Sequence, residues 1–369
     1  MAILCINCGS SSVKLGVYRL NVEEPPLAVG AVEGIGQSKQ SQSRAWLREG
    51  GETIERPGPF ADHEAATHAA FELIASRALE TPRAVGHRLV HGGPDLAMPV
   101  VIDGDVRRLL EAAIPFAPLH MPPALDAIAV ARARLPSALQ VACFDTGFHR
   151  DLPEIARRLP VTQALHDRGV RRYGFHGLSY EYVVSALGED ARGRVVVAHL
   201  GNGASLVALK DGRSQDTTMG LTPTGGVVMS TRTGDLDPGV VLFLMREGWD
   251  AKAIETLVDH EGGLAGISGG GSDMKSLLAA RETDPRAKLA VAMFAASVRK
   301  AIGAMATTLG GIDRLVFTGG IGEHAADVRA EIMRGLEHLA VRDVRVMTTN
   351  EELVIARHTR ALLGDVTAR

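Results

Sequence analysis

Three cysteines in 369 residues, Cys5, Cys8 and Cys143, are too few for a disulfide scaffold. Cys5 and Cys8 form a C-x-x-C, but on a strand entering a turn and not at a helix start. They read as small core residues in preference to a redox pair or a zinc half-site. An excess of charge is lacking as well: 40 Lys and Arg against 43 Asp and Glu leave a formal net charge of -3. That balance argues against a nucleic-acid binder working by bulk electrostatics, local basic sites aside. No apolar run approaches the ~20 residues that span a bilayer, and the N-terminus enters a strand without a signal-peptide pattern. The expectation is a cytoplasmic protein with no membrane and no nucleic-acid partner. Its length fits two domains of roughly 150 to 200 residues.

What the chain has in plenty is glycine, 41 residues, and the glycines punctuate strands. Arg194 to Lys210 (RVVVAHLGNGASLVALK) reads as a buried strand, a turn at Gly201, Asn202 and Gly203, a small hydroxyl at Ser205 and a second strand. Ala2 to Tyr18 (AILCINCGSSSVKLGVY) repeats the pattern with Asn7, Gly9, Ser10, Ser11 and Ser12 in the turn. The echo suggests two related domains. Such turns let a backbone approach phosphate oxygens and aim several donors at one spot. Taken singly, each also reads as an ordinary hairpin.

The remainder alternates strands and helices. Leu27 to Val32 and a hairpin closed at Gly50 and Gly51 precede a helix over 62–79 with Asp62 as its N-cap. Ala84 to Gly93 (AVGHRLVHGG) sets Arg88 at the end of an apolar strand, where its fork of donors suits a carboxylate or phosphate, although a surface arginine is the commoner case. His87 and His91, four apart, lack a third metal ligand nearby. Ala117 to Pro123 (APLHMPP) reads as a rigid non-helical loop around His120, followed by a helix over 125–135. Leu139 to Phe144 is a strand ending at Asp145, which is either an active-site carboxylate at a strand's C-terminal end or the N-cap of the next segment.

RRYGFHGLS (Arg171 to Ser179) gathers His176 and two arginines ahead of a helix. Thr217 to Gly239 has no helical period, and long irregular segments of this kind are usually functional. GISGGGSDMKS misses the spacing of a P-loop. Gly320, Gly322 and Ala325 fit G-x-G-x-x-A but come too late for a dinucleotide fingerprint. Helices are expected over 287–309, 325–338 and 353–363, with a strand over 344–347.

Taken together, these blocks resemble the acetate kinase family, within the acetate and sugar kinase, Hsp70 and actin superfamily. The matching motifs are NCGSSSVK, GHRLVHGG, APLH, FDTGFH, RYGFHG, HLGNGAS, MSTRTGDLDPG, FTGGIGEH and NEELVIAR, in the family's order along nearly the whole chain. The resemblance implies an α/β, two-domain, actin/Hsp70-like (ribonuclease H-like) duplicated fold with its active site in the interdomain cleft. It implies a first domain of residues 1–147 plus 354–369 and a nucleotide-binding and dimerisation domain of residues 148–353. It further implies reversible phosphoryl transfer from ATP to acetate, giving ADP and acetyl phosphate, with Mg²⁺ or Mn²⁺, in a homodimer.

Carried over by motif, Asn7 and Glu351 match metal positions. Ser10, Ser12, Lys14 and the turn His199, Leu200, Gly201, Asn202 and Gly203 match ATP contacts. Asp273, Met274 and Lys275 with Gly320, Ile321, Gly322, Glu323 and His324 match the adenosine pocket. Arg88 matches the carboxylate-binding arginine, Asp145 the residue usually called a proton donor or acceptor, and His176 and Arg232 the transition-state stabilisers. Val90, Leu119, Phe175 and Pro223, with His120, match the acetate site. Leu178 and Tyr180 stand where Thr and His are usual. Because acetate is already ionised at pH 7, Asp145 is expected to orient an arginine or a metal-bound water, with no general-base role. A propionate or butyrate kinase is the nearest alternative, and an ATP-driven switch of the actin kind a more distant one, which would have no need of Arg88, Arg232 and His176 around an apolar pocket.

Overall fold

The computed structural model describes residues 2–9, 11–36 and 43–367, so Ser10 lies outside the described residues. The chain divides into two compact units, residues 1–148 with 350–369, and residues 149–349.

The first unit is built on an eight-stranded sheet. Its strands are β1 (Ala2–Cys8), β2 (Ser12–Arg19), β3 (Ala28–Glu33), β4 (Arg44–Glu49), β5 (Glu52–Pro57), β6 (Pro82–Leu89), β7 (Val100–Val101) and β8 (Leu139–Phe144), in the order β5-β4-β3-β2-β1-β6-β8-β7. β1 to β5 form an antiparallel meander, while β6 runs parallel to β1 and β8 parallel to β6. Every residue of β1 is buried, as expected of a strand covered on both faces. Helix α1 (His63–Ala75) is capped by Asp62, whose side chain accepts the Ala65 N–H at 2.8 Å, and packs on α3. α2 is Gly104–Ala112 and α3 is Met121–Arg134. Residues 117–120 are non-helical as expected, but Pro122 and Pro123, expected to extend that loop, instead occupy the first turn of α3. There the missing N–H has no intrahelical partner to lose and the ring's fixed φ already suits the helix.

The second unit opens with short helices α4 (Glu154–Arg157) and α5 (Gln163–Asp167), then α6 (Gly177–Leu187). Its five-stranded sheet holds β9 (Arg194–Leu200), β10 (Ala204–Lys210), β11 (Arg213–Thr217), β12 (Arg314–Thr318) and β13 (Asp343–Val346), in the order β11-β10-β9-β12-β13. β9, β10 and β11 are an antiparallel meander, with β12 parallel to β9 and β13 parallel to β12. The echo heard in the two turns is therefore topological: each unit has a three-stranded meander whose first strand is extended by two strands running parallel to it.

Helices α7 (Pro238–Arg246), α8 (Ala251–Thr256), α9 (Gly263–Ser268), α10 (Met274–Ala280) and α11 (Pro285–Leu309) follow the irregular stretch after β11. By length and composition α11 is apolar enough to cross a membrane, contrary to the expectation that no run approaches that size. Its Ala287, Val291, Phe294, Val298 and Ile302 are buried, and it packs on β9, β10 and β11 and on α9 and α10. The helix expected over 325–338 is found as the shorter α13 (Ala326–Met333), and an unexpected short helix, α12 (Gly319–His324), precedes it, the two meeting at Ala325. Arg329 Nη1 donates to the carbonyls of Gly322 and Glu323 at 2.8 and 3.0 Å. It thereby satisfies carbonyls that a continuous helix would have used.

The chain then returns to the first unit as α14 (Glu351–Thr367), where Asn350 Oδ1 accepts the Leu353 N–H at 3.0 Å. α14 packs on β1 and β6. It can do so because Gly86 has no side chain: a Cβ there would lie 2.2 Å from Thr359 Oγ1 and 2.5 Å from Ile355 Cγ2. That close approach sets Glu351 beside the end of β1.

His87 and His149 are fully buried and burial pushes each down to about 4, with an opposing hydrogen bond from Gln140 on His87 and from the Phe175 carbonyl on His149. Both are neutral packing residues at pH 7. The unfolded chain takes up these protons first, near 6.5, so the stability they confer is fully present above that pH. It is lost as pH falls from about 6.5 towards 4, by roughly 3 kcal/mol each. Urea midpoints measured at pH 7, 6 and 5 should therefore decline before carboxylates titrate, and His149→Asn should flatten the decline.

Candidate active site

Two clusters of functional side chains stand out, one in each unit. In the first, Arg88 closes β6 and Asp145 follows β8. Arg88 donates to Asp145 Oδ2 through Nε at 3.0 Å and Nη2 at 2.5 Å, and through Nη1 to Asn7 Oδ1 at 3.1 Å and the Cys8 carbonyl at 3.3 Å. Asn7 Nδ2 in turn donates to Glu351 Oε2 at 2.9 Å and Glu352 Oε1 at 3.0 Å. The Arg88 and Asp145 side chains are 13% and 1% exposed, so this pair is shielded from water. Burial works against the guanidinium, but Asp145, Glu351 and Glu352 outweigh it and hold the cation firmly. Cys8, alongside, is pushed up to about 12 by burial, with Arg88 opposing, so no thiolate chemistry is available there.

This cluster carries more carboxylate than one arginine neutralises. No group of three His, Cys, Asp or Glu able to hold a metal ion occurs among the described residues. Mg²⁺, however, takes one or two carboxylates and draws its remaining oxygens from water and substrate phosphates. Asp145 and Glu351, both within reach of Arg88, are hard oxygen donors that fit that demand. Asn7 turns its amide nitrogen to the glutamates and its oxygen to Arg88. Lys14 is exposed on β2 and pairs in register with Asn7, and Ser12 accepts the Gly9 N–H through its carbonyl at 2.8 Å. Val90 is 4% exposed, while Leu119 and His120 are half-buried ahead of α3.

In the second unit a cavity of about 630 Å³ is lined by Gly201, Asn202, Asp273, Met274, Lys275, Leu278, Gly320, Ile321, His324 and Ala325. A volume of that order accommodates a nucleoside. Three separate stretches of the predicted nucleotide set thus meet on one cavity. Leu278 and Ala325 join them unforeseen; Leu278 lies one helical turn after Met274, a spacing that could have identified it. Leu200 is fully buried, Gly322 is buried, and the Glu323 carboxylate accepts the Gly319 N–H at 3.0 Å, bracing the start of α12.

The turn that borders this cavity is also where the second cluster converges. A Cβ on Gly203 would lie 2.8 Å from Arg232 Nη2 and 3.2 Å from His176 Nε2, so only glycine leaves both groups their places. Arg232 Nη1 donates to the Pro223 carbonyl at 2.6 Å, which anchors it to the irregular segment after β11. His176 is the N-cap of α6 in the left-handed conformation, φ 58°. Its ring stacks on His199 with centroids 4.3 Å apart. Phe175 beside it is 1% exposed, and Pro223 is buried.

A model of the acetokinase family matches residues 2–358. The chain belongs to that family. It is 42% identical to the acetate kinase of Nitrobacter hamburgensis, with 99% of this chain and 96% of the relative covered. A propionate kinase from Francisella tularensis superposes with a TM-score of 0.89 at 33% identity, covering 98% of this chain and 99% of the other. The acetate kinase of Porphyromonas gingivalis gives 0.85 at 35% identity with the same coverage. The acetokinase-family fold, two-domain and actin/Hsp70-like, is thus shared by this chain.

Gly203→Ala tests the convergence at the turn. The new methyl meets only the far ends of two side chains, so the melting temperature should stay near wild type. Displacing His176 and Arg232 should lower turnover about 100-fold. A variant with full turnover would show that these groups do not act from the positions seen.

Proposed function

We propose that this protein catalyses the reversible, Mg²⁺-dependent transfer of the γ-phosphoryl group of ATP to acetate, giving acetyl phosphate and ADP. The observation that carries the proposal is a nucleoside-sized cavity bordered by the Gly201 to Gly203 turn, with the His176 ring and the Arg232 guanidinium gathered on Gly203. In-line transfer to a carboxylate brings anions together, so its transition state is favoured by fixed donors and cations and harmed by competing water. On this reading Asp273, Met274, Lys275, Ile321 and His324 hold adenosine, and the His199 to Gly203 turn with Lys14 and Ser12 holds phosphates. Arg88 holds the acetate carboxylate while Val90, Leu119, Phe175, Pro223 and His120 surround its methyl group. His176 and Arg232 stabilise the phosphoryl group in flight. Asp145, Glu351 and Asn7 are the metal-side residues. They would hold the ion, which would there supply positive charge against the phosphates.

Asp145 is assigned an orienting role. Its Oδ2 already accepts two hydrogen bonds from Arg88, and an ionised acceptor has no proton for it to remove.

We further propose a cytoplasmic homodimer joined through the second unit. The three cysteines are buried and none is in a disulfide, in keeping with a reducing compartment. α7 buries none of its residues and shows Leu242, Phe243 and Met245 to solvent at 51 to 58% exposure, with Trp249 following at 40%. An apolar face of this kind marks an interaction surface.

Incubation with Mg-ATP and acetate, propionate, butyrate or no acid, with hydroxylamine trapping, should give most hydroxamate from acetate. Val90 favours the smaller acid, although one methylene is worth only ~1 to 3 kcal/mol. Equal kcat/KM for acetate and propionate would remove the Val90 argument. ADP release without hydroxamate would point to an ATP-driven switch. Asp145→Asn should lower kcat about 10- to 100-fold and weaken apparent Mg²⁺ affinity together, since a charged partner of Arg88 is lost. A shifted pH profile with unchanged Mg²⁺ dependence would instead mark Asp145 as a base. Light scattering should give twice the chain mass for the wild type and a monomer for Phe243→Asp; a dimer in both would place the interface elsewhere.

A further inference from the structure

Beneath His176 runs a short chain of hydroxyls. Tyr180, one turn further along α6, is fully buried, with its hydroxyl 2.5 Å from Ser205 Oγ. Ser205, equally buried on β10, lies 2.8 Å from His176 Nδ1. Serine has a single proton to give. A phenol is the stronger donor of the two hydroxyls and an imidazole nitrogen the stronger acceptor. The favoured order is therefore Tyr180 O–H to Ser205 Oγ, and Ser205 O–H to His176 Nδ1. The ring proton is then left on Nε2, the atom gathered with Arg232 on Gly203.

Two further features disfavour a second ring proton. His176 caps the N-terminus of an eleven-residue helix, where the helix dipole opposes positive charge. Its ring also stacks on His199, whose Nδ1 lies 2.8 Å from Ser179 Oγ. Among the groups near His176 are Ser205 from β10, His199 from β9, Tyr180 from α6 and Arg232 from the irregular segment. His149, neutral, meets Tyr180 edge-on at 5.7 Å.

We propose that Tyr180 is a positioning residue which, through Ser205, locks His176 as the neutral tautomer protonated at Nε2. His176 then meets the transferring phosphoryl group as a hydrogen-bond donor, and Arg232 supplies the positive charge at Gly203. The proposal rests on the kinase reading of this same site and specifies how one of its groups works.

The test is ¹⁵N NMR of the ring nitrogens in the ligand-free, full-length protein at pH 7, with His176 assigned by the signal lost in His176→Gln. The wild type should show His176 protonated at Nε2 and bare at Nδ1. In Tyr180→Phe the signal should become an exchanging mixture, and kcat should fall about 5- to 10-fold with KM for ATP and acetate unchanged. Should Tyr180→Phe fail to fold, Ser205→Ala must give the same pair of changes. A doubly protonated ring or an Nδ1–H tautomer in the wild type overturns the proposal. So does an unchanged tautomer, or an unchanged kcat, in a folded variant. Because the tautomer is read without substrate, it is decided separately from whether the wild type forms acyl phosphate at all.

Discussion

The interaction on which the first unit's chemistry depends is the buried contact between Arg88 and Asp145. An ion pair 13% and 1% exposed is not retained for stability alone, since desolvation consumes most of the Coulombic gain. What the pair secures is geometry. A guanidinium held by two bonds to one carboxylate oxygen and a third to Asn7 has little freedom left. The surplus negative charge of Glu351 and Glu352 keeps a demand for cations open beside it. The supporting structure follows from that requirement. β6 and β8 run parallel so that Arg88 and Asp145 emerge at the same sheet end, and Gly86 admits α14 closely enough to deliver Glu351.

The duplicated topology makes the division of labour visible residue by residue. Asn7, next to last in β1, pairs with Lys14 and Arg88 on its two neighbouring strands. His199, next to last in β9, pairs with Ser205 and Thr318. The same three lattice positions therefore hold an amide and two cations in one unit, and an imidazole and two hydroxyls in the other. One unit has become a place for charge compensation. The other has become a place for aiming hydrogen bonds, with its charge brought in from outside the sheet by Arg232.

Much of this was legible from sequence wherever the signal was local. The two strand-turn-strand repeats, the cap at Asp62 and the strand ends at Arg88 and Asp145 each announce themselves within a few residues. What no local pattern shows depends on partners far apart in the chain: Asn7 and Glu351 are separated by 344 positions, and only the family resemblance put them together. α12 was missed because its glycines, Gly319, Gly320 and Gly322, disfavour a helix when read locally. The side chain of Arg329 takes the carbonyls at its end. The helix begun at Met121 was misread because Pro122 and Pro123 look like breakers unless they fall in a first turn.

The Tyr180 contact shows why composition alone would have misassigned the histidines. His87, His149, His176 and His199 are all buried or half-buried, yet they divide by what their nitrogens meet. His87 bonds Gln140 through Nε2, and His149 bonds Ser214 and the Phe175 carbonyl, contacts that end inside the core. His176 is bonded at Nδ1 to a hydroxyl, with Nε2 3.2 Å from where a Cβ on Gly203 would lie. A buried histidine becomes a reagent when one nitrogen is fixed by the interior and the other is kept for the substrate. In this chain the fixing is done from two residues away through Ser205. Chemistry at His176 is thereby tied to the packing of Tyr180 against the core.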